Sequence, residues 1–298
     1  MLTLDHSIRT AAFDWLARNA DPDSGLITWT QLSTGFPYGD TRIPLVTQRG
    51  IFKPRQLDIP LSIRTSPQDP YGDAFEGNEV LLYRYFGTVA NHRDNAGLRE
   101  AMRQRLPLVY LKGISPGKYC AVWPVYIIGD DPRLLRFRAT ADMQFSYQIE
   151  EEEDSQLITI RRGYAMAQVR VRLHQTSFRD MIMRAYRSTC SMCTLKHEEL
   201  LDAAHIIPDS NALGVPEVTN GLALCKIHHA AFDKHILGID PDYHIEVRED
   251  ILEEVDGPML QHGLKEMQGR KLYLPKNAAH YPDRERLEQR FAEFRRAG

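Results

Sequence analysis

The sequence predicts an α+β protein with two domains, a strand-rich N-terminal one and a C-terminal one built around a cysteine- and histidine-rich block. A length of 298 residues is typical of two domains. Short runs of Ile, Val, Leu and Tyr alternate with Gly, Pro and Asp from residue 25 to residue 148, a barrel or sandwich pattern. Three of the four cysteines fall instead within 190–225. We therefore place the first domain in 1–150, a linker in 151–176 and the second domain in 177–298.

The first domain is predicted to begin with a helix and then to become mostly β. Apolar residues recur at helical spacing over 3–19 and stop at an Asp-Pro pair. The runs 80–86 and 121–128 are rich in β-branched and aromatic residues and are typical of strands. A second helix is predicted over 95–104. We expect these strands to form a β-barrel.

The cysteines and one histidine have the spacing of a metal site. Cys190 and Cys193 form a C-x-x-C pair, and Cys225 and His228 form a C-x-x-H pair. Two such pairs make a closed tetrahedral site, which predicts a structural zinc ion (Zn2+). A disulfide is the alternative, but nothing resembling a signal peptide precedes the chain, and the cytoplasmic setting that this predicts favours metal. Cys120 stands alone in an apolar run and is interpreted as a core residue.

The same region predicts two strands followed by a helix. The run 200–207 is interpreted as a strand that carries His205 near its end and is terminated by Pro208. Asn220 and Gly221 form a turn signal, after which a short strand passes into a helix that carries His229. The predicted order is β–β–α, with polar residues at one end.

This order of His205, Asn220 and His229 resembles the HNH (ββα-metal) nuclease family over residues 179–238. The resemblance implies that His205 is the general base that activates the attacking water. It implies that Asn220 pins the loop between the strands and that His229 binds a catalytic Mg2+ or Mn2+. Phe232 and Asp233 match the Phe-Asp pair that often follows this histidine.

Two assignments around this motif have alternatives. Many members of the family carry an Asp immediately before the first histidine, where this chain has Ala204. Asp202 lies two positions earlier, on the same face of a strand, and is either the missing metal ligand or a salt-bridged surface residue. His228 is assigned to the zinc site and His229 to the catalytic site, although the swapped assignment has a similar spacing.

The N-terminal half contains four segments, 71–75, 82–87, 94–101 and 108–113, that together resemble the SRA (YDG) domain of the PUA-like superfamily. The resemblance covers residues 50–129 and implies recognition of a modified cytosine that is flipped into a pocket. A flipped base needs aromatic walls and a group that reads its Watson–Crick edge. The candidates are Tyr71, Asp73, Tyr83, Tyr85 and Trp123. In the alternative, these aromatic residues form the core and Asp73 caps a turn.

Composition and charge limit the possible functions. A hydrophobic content of 43% and a charged content of 26% are ordinary for a soluble globular protein, and no apolar run is long enough to span a membrane. A net charge of −3 argues against high non-specific affinity for nucleic acid and suits an enzyme that must find a rare feature. The candidates for contact with the DNA backbone are Arg161, Arg162, Arg170, Arg172 and Arg179, with a solvated face as the alternative.

The combined hypothesis is a modification-dependent restriction endonuclease that acts on 5-methyl- or 5-hydroxymethylcytosine in double-stranded DNA. One HNH site cuts one strand, so a double-strand break implies either a homodimer, which we expect, or sequential nicks. Leu287, Phe291 and Phe294 form an apolar stripe on a C-terminal helix that packs on the nuclease domain or on a second subunit. The alternatives are an HNH endonuclease without modification dependence and a non-catalytic, zinc-held nucleic-acid-binding protein.

Overall fold

The computed structural model describes residues 4–67, 74–76, 80–141, 155–209, 211 and 213–297, without the side chains of 74–76, 155–167 and 170. The chain divides into two compact units, Met1–Thr176 and Ser177–Gly298. The architecture is α+β, as predicted. Tyr71 and Asp73, two candidates for the base pocket, lie outside the described residues.

The first unit contains three helices and ten strands among its described residues up to 141. In chain order they are α1 (Leu4–Asn19), β1 (Leu26–Thr28), α2 (Trp29–Thr34), β2 (Phe36–Tyr38), β3 (Thr41–Ile43), β4 (Ile51–Phe52), β5 (Ser62–Thr65), β6 (Ala74–Glu76), β7 (Val80–Arg84), α3 (Arg93–Arg103), β8 (Leu108–Ser115), β9 (Lys118–Asp131) and β10 (Arg136–Ala141). The predicted helices correspond to α1 and α3, and the predicted strands to β7 and β9.

Eight of these strands form one curled sheet, with the order β4-β5-β8-β9-β10-β7-β6 and with β1 paired to the start of β9. All described pairs are antiparallel except β5 with β8. The predicted barrel was wrong in its closure, because among the described residues the pairing ends at β4 and β6 and leaves a half-barrel. These two edge strands have only two and three residues, too few for a closing ladder.

The sheet buries a separate hydrophobic cluster on each face. The α1-face cluster contains Ile8 and Leu16 of the helix together with Val109 and Leu111 of β8. The α3-face cluster contains Leu98 of that helix together with the alternate β8 residues Leu108 and Tyr110. Alternate residues of one strand point to opposite faces, so β8 is buried on both sides.

Helix α4 (Ser155–Tyr186) follows, and the boundary between the units falls within it. The segment from residue 155 to residue 176, predicted as a linker, is therefore helical. The second unit then contains β11 (Leu201–His205), β12 (Gly221–Cys225), α5 (Lys226–Asp233), β13 (Leu237–Ile239), β14 (Ile245–Val247), α6 (Glu249–Glu253), α7 (Pro258–Gly263) and α8 (Arg284–Ala297). Short 3-10 turns cover Glu198–Leu200, Val218–Asn220, Lys265–Met267 and Ala278–His280.

The C-terminal helix α8 packs on the second unit itself. Leu287, Phe291 and Phe294 are at most 6% exposed. A Cβ atom added to Gly238 of β13 would lie 2.5 Å from the Phe294 ring, so strand and helix are in close contact there. The apolar stripe predicted from the sequence therefore packs on the nuclease half of the chain and has no surface left for a second subunit.

Candidate active site and metal cluster

Strands β11 and β12 form an antiparallel hairpin that passes directly into α5. The register pairs Leu201 with Cys225 at one end and His205 with Gly221 at the other. A Cβ atom on Gly221 would lie 2.3 Å from Ile182 and 2.7 Å from Phe178, both on α4. Glycine is therefore required for α4 to pack against the end of the hairpin that carries His205.

His205 is half-buried at the end of β11. Its ring stacks on Phe178 with a centroid distance of 4.0 Å and an interplanar angle of 12°. Stacking on a buried ring fixes the plane of the imidazole. A histidine held in this way presents its nitrogen atoms in a defined direction, which is a requirement for proton transfer.

Asn220 is completely buried and holds both ends of the loop between the strands. Its Oδ1 accepts a hydrogen bond from the amide of Ile207 at 2.9 Å. Its Nδ2 donates to the carbonyl groups of Ile207 at 3.1 Å and Val215 at 3.0 Å. These bonds tie the chain that leaves β11 to the chain that enters β12. The side chain therefore has the geometry of a loop clamp.

His229 lies between two carboxylates. Its Nδ1 is 3.5 Å from Oδ2 of Asp202 on β11, and its Nε2 is 3.4 Å from Oδ2 of Asp233 on α5. Asp202 is a candidate ligand from the sequence, whereas Asp233 has no function predicted from its position in the motif. The signal was available, because residues four apart on a helix lie on the same face.

Asp202 also contacts Arg179, whose Nη1 is 3.5 Å from Oδ1 of the carboxylate. Both readings of Asp202 thus have a structural counterpart, an ion pair with Arg179 and a contact with His229. Ala204, which occupies the family's usual aspartate position, is fully buried in the hydrophobic cluster of the second unit. The carboxylate that lies near His229 therefore belongs to Asp202, two positions earlier on the strand than Ala204.

Cys190, Cys193, Cys225 and His228 converge into one cluster. One ligand atom from each residue lies within 4.8 Å of the others. Four ligands around a tetrahedral zinc ion with bonds of about 2.3 Å would be separated by about 3.8 Å, so the cluster is compatible with zinc. The amide of Cys225 donates to Sγ of Cys190 at 3.3 Å, a bond that favours a thiolate at this position.

His228 is oriented by a backbone carbonyl group. Its Nε2 is 2.7 Å from the oxygen of Gly263 and donates a hydrogen bond to it, which leaves Nδ1 facing the sulfur atoms of Cys225 at 3.2 Å and Cys190 at 3.6 Å. This is the outer-shell arrangement usual for a metal-ligating histidine.

The side chains of this cluster shift one another's pKa values. Burial by itself lowers the pKa of His228, but hydrogen bonds with Cys190 and Cys225 raise that pKa to about 10. Hydrogen bonds from Cys193 and Cys225 lower the pKa of Cys190, and the pKa of Cys193 is raised in turn. A metal ion would replace these protons, because its ligands must be deprotonated.

Residues 190–240 match the model of the HNH endonuclease family. This region contains the ββα hairpin and the Cys/His cluster. The second unit therefore contains an HNH endonuclease domain. The protein is accordingly a DNA-hydrolysing enzyme, and nucleases of this family use divalent metal ions.

The chain also has a distant similarity to a solved structure. A solved structure described as a modification dependent TagI restriction endonuclease is 14% identical, with a TM-score of 0.29, over 79% of this chain and 81% of that chain. No curated protein matches the chain. Among the described residues, no helix is both long and apolar enough to cross a membrane.

Outside the HNH domain, the structure separates the candidate base-pocket residues that it describes. Tyr83 and Tyr85 are 5% and 7% exposed and belong to the α3-face cluster. Tyr85 also packs on Phe137 with a centroid distance of 4.6 Å. Trp123 is only partly buried and packs against the α1-face cluster. The sheet therefore lies between Trp123 and the two tyrosines.

A cavity of about 250 Å³ opens beside β7, also within the first unit. Its lining consists of Gly50, Arg64, Thr65, Ser66, Tyr83, Arg84, Tyr85, Phe86 and Gly87. Phe86 is 37% exposed and packs on His92 with a centroid distance of 4.6 Å. Tyr83 and Tyr85 are candidates from the sequence, whereas the more accessible Phe86 is not, because it only ends the apolar run 80–86.

Proposed function

We propose that this protein is a modification-dependent restriction endonuclease that recognises a modified cytosine in double-stranded DNA and hydrolyses the backbone with its HNH domain. The nuclease part rests on the geometry of the ββα hairpin. It places His205 at the end of β11 and brings His229 and Asp233 of α5 close to Asp202 of β11. Asp202 and His205 are three positions apart on β11, about 10 Å along the strand. In this proposal the scissile phosphate and its attacking water lie between His205 and the ion held by His229.

His205 is the general base in this proposal. Imidazole accepts a proton at physiological pH, and the stacked position on Phe178 holds the ring toward one direction. The proton would be taken from the water that attacks the phosphorus atom. Asn220 contributes by fixing the loop that follows His205, so that the histidine keeps its orientation.

His229, Asp202 and Asp233 offer the nitrogen and oxygen atoms that would hold a catalytic Mg2+ or Mn2+. Each nitrogen of His229 faces one carboxylate, so either nitrogen can serve as a ligand beside a carboxylate. The opposite carboxylate then accepts the remaining N–H and orients the ring. When bound, the ion would polarise the phosphodiester and neutralise charge on the leaving oxygen.

A structural Zn2+ in the cluster of Cys190, Cys193, Cys225 and His228 completes the HNH domain. Four protein ligands leave no open position for a water molecule, so this ion would have no part in the hydrolysis. Its contribution is to join the turn after α4 to the start of α5. Helix α4 packs on the end of the hairpin through Phe178 and Ile182, and α5 carries His229 beside Asp202.

The reader of the modified base is proposed to be the first unit. The resemblance of residues 50–129 to the SRA domain supports this, as does the cavity beside β7, which exposes part of the Phe86 ring and adjoins Tyr83 and Tyr85. A flipped base needs aromatic walls to replace the stacking that it loses. We propose 5-methyl- or 5-hydroxymethylcytosine as the base.

Cleavage of both strands requires two HNH active sites or two successive nicks. We propose a homodimer that acts in the cytoplasm on double-stranded DNA. Because the apolar stripe of α8 is buried within its own domain, the surface that joins two copies must lie elsewhere.

The proposal is tested by cleavage of one DNA fragment prepared with cytosine, 5-methylcytosine, 5-hydroxymethylcytosine or N6-methyladenine, each with Mg2+ and with Mn2+. We expect cutting only of a fragment with modified cytosine. A parallel preparation of His205→Ala controls for contaminating nucleases.

Equal cutting of all four fragments would retain the endonuclease and discard the reader of modified bases. Protein that contains zinc but cuts none of the fragments with either ion would be a non-catalytic nucleic-acid-binding protein. Cutting confined to the N6-methyladenine fragment would keep modification dependence and reject cytosine as the base.

A further inference from the structure

A second cavity, of about 520 Å³, lies on the HNH domain and is not part of the catalytic cluster. We call it the basic groove. It is lined by Met181, Arg184, Ala185, Arg187, Val218, Lys276, Asn277 and His280. These residues come from the end of α4, the 3-10 turn before β12 and the segment before α8.

The lining has the chemistry of an anion-binding surface. Its polar residues are the cations Arg184, Arg187 and Lys276 together with Asn277 and His280, and the lining includes no carboxylate. Arg184 is paired with Asp180 at 2.9 Å. Within the part of the chain that the structure describes, Arg187 and Lys276 are exposed and form no ion pair.

Arg187 has an unusual backbone conformation for an arginine. It has a φ of 54°, and the next residue, Ser188, has a φ of 46°. For residues other than glycine this left-handed conformation costs about 1 kcal/mol each. Glycine would end the helix at a lower cost. Arginine at this position is therefore consistent with a function for its side chain in the groove.

The basic groove is contiguous with the catalytic hairpin. Met181 lies one helical turn beyond Phe178, the residue on which His205 stacks. Val218 begins the 3-10 turn that ends at Asn220. Along α4, the distance from Phe178 to Arg184 is about 9 Å at 1.5 Å per residue. Successive phosphates of one DNA strand rise by about 3.4 Å, so a separation of this order corresponds to a few nucleotides.

We propose that the basic groove binds the sugar–phosphate backbone of the DNA substrate beside the scissile phosphate, with Arg187 and Lys276 as phosphate contacts. The inference rests on the proposed function only in taking duplex DNA as the substrate, and it does not depend on recognition of a modified base. It places backbone contacts on side chains that the sequence analysis did not select.

Of the arginines that the sequence analysis did select, Arg179 is engaged within the domain. Its guanidinium group donates to the carbonyl groups of Leu201 and Glu198 and contacts Asp202. The side chains of Arg161, Arg162 and Arg170 lie outside the described residues. Arg172 is exposed in the first unit and is not part of the groove.

The experiment measures duplex binding by fluorescence anisotropy in the absence of Mg2+ and Mn2+, so that no strand is cut. Full-length protein is compared with Arg187→Gln, Lys276→Gln and the double variant over a series of KCl concentrations, on modified and unmodified duplexes. Arg296→Gln is the matched control. Arg296 is an exposed arginine on α8 whose Nε donates to Ala292 of its own helix.

Each groove variant should lower the slope of log K against log salt by about one, and the double variant by about two. Near 0.1 M salt this corresponds to an affinity loss of about eightfold per side chain, equal on both duplexes. Melting temperature and zinc content should not change, because both side chains are exposed. Arg296→Gln should bind like the wild type.

A slope and affinity equal to those of Arg296→Gln would overturn the proposal. A loss confined to the modified duplex would also overturn it, because a backbone contact is independent of the base. If the wild type does not discriminate between the duplexes but the groove variants still reduce the salt slope, the reader of modified bases fails and the groove stands.

Discussion

His228 and His229 are neighbours in the chain but contribute to different sites. Consecutive residues of a helix point about 100° apart, so two adjacent side chains at the start of α5 point in different directions. His228 faces three sulfur atoms and is held by Gly263, whereas His229 faces Asp202 and Asp233. The two histidines thus have different neighbours, and the assignment of His228 to zinc and His229 to the catalytic ion stays a prediction.

At the residue scale, His205→Ala tests the proposed general base. We expect cleavage to fall by at least about 100-fold, because general-base catalysis contributes roughly that factor or more. The ring stacks on the surface of Phe178 and binds no part of the Cys/His cluster, so zinc content should be unchanged. Cleavage rate, metal analysis and duplex affinity are measured on the same preparation.

A His205→Ala protein that loses zinc in proportion to its activity would show that the histidine is structural. A protein that cleaves at the wild-type rate would assign the base to another residue.

At the element scale, the hairpin, α5 and the turn after α4 are held together by the Cys/His cluster. The turn is closed by backbone hydrogen bonds from Cys190 to Leu195 and from Thr194 to Cys190, both of 2.9 Å. Cys225 ends β12 and is the N-cap of α5. A metal ion in this position would link these three elements through its ligands.

Cys193→Ser is expected to remove zinc and to lower the stability of the HNH domain together. Metal binding contributes directly to the folding free energy of such a site, so loss of a thiolate ligand should cost several kcal/mol. Thermal unfolding and zinc analysis measure both effects. Cys120→Ala is the matched control.

Cys120 is buried in the first unit, where its Sγ donates to the carbonyl group of Ser24. Its replacement should leave the zinc content at the wild-type value. A stable, active Cys193→Ser protein with no zinc would remove the metal from the proposed architecture.

At the scale of the whole molecule, the two units have separate hydrophobic clusters and only one contains a metal cluster among the described residues. Two-state unfolding is therefore not expected for the full chain. The net charge of −3 does not exclude a local basic surface, because the basic groove contains three cations.

Calorimetry of the full-length protein should show two unfolding transitions, of which a zinc chelator lowers only one. A chelator removes the zinc ion that stabilises the folded HNH domain. Among the described residues, the first unit has no cluster of metal ligands on which the chelator could act. The transition that also shifts in the Cys193→Ser variant is assigned to the HNH domain. A single transition that shifts as a whole would show that the units unfold together.

The sequence alone was enough to identify residues whose assignment depends on local spacing. The two ligand pairs, the order of His205, Asn220 and His229, and the main helices and strands could be predicted because each depends on neighbours a few positions apart. Closure of the barrel could not be predicted, since it depends on how edge strands of two and three residues pair at long range.

Only the tertiary structure decided which distant side chains share a site. Asp202 and His229 are 27 positions apart and meet because β11 pairs with the strand that leads into α5. The separation of Trp123 from Tyr83 follows from which face of the sheet each strand residue occupies. The basic groove joins residues 181–187 to residues 276–280, a proximity that arises from packing and that no short-range pattern in the chain encodes.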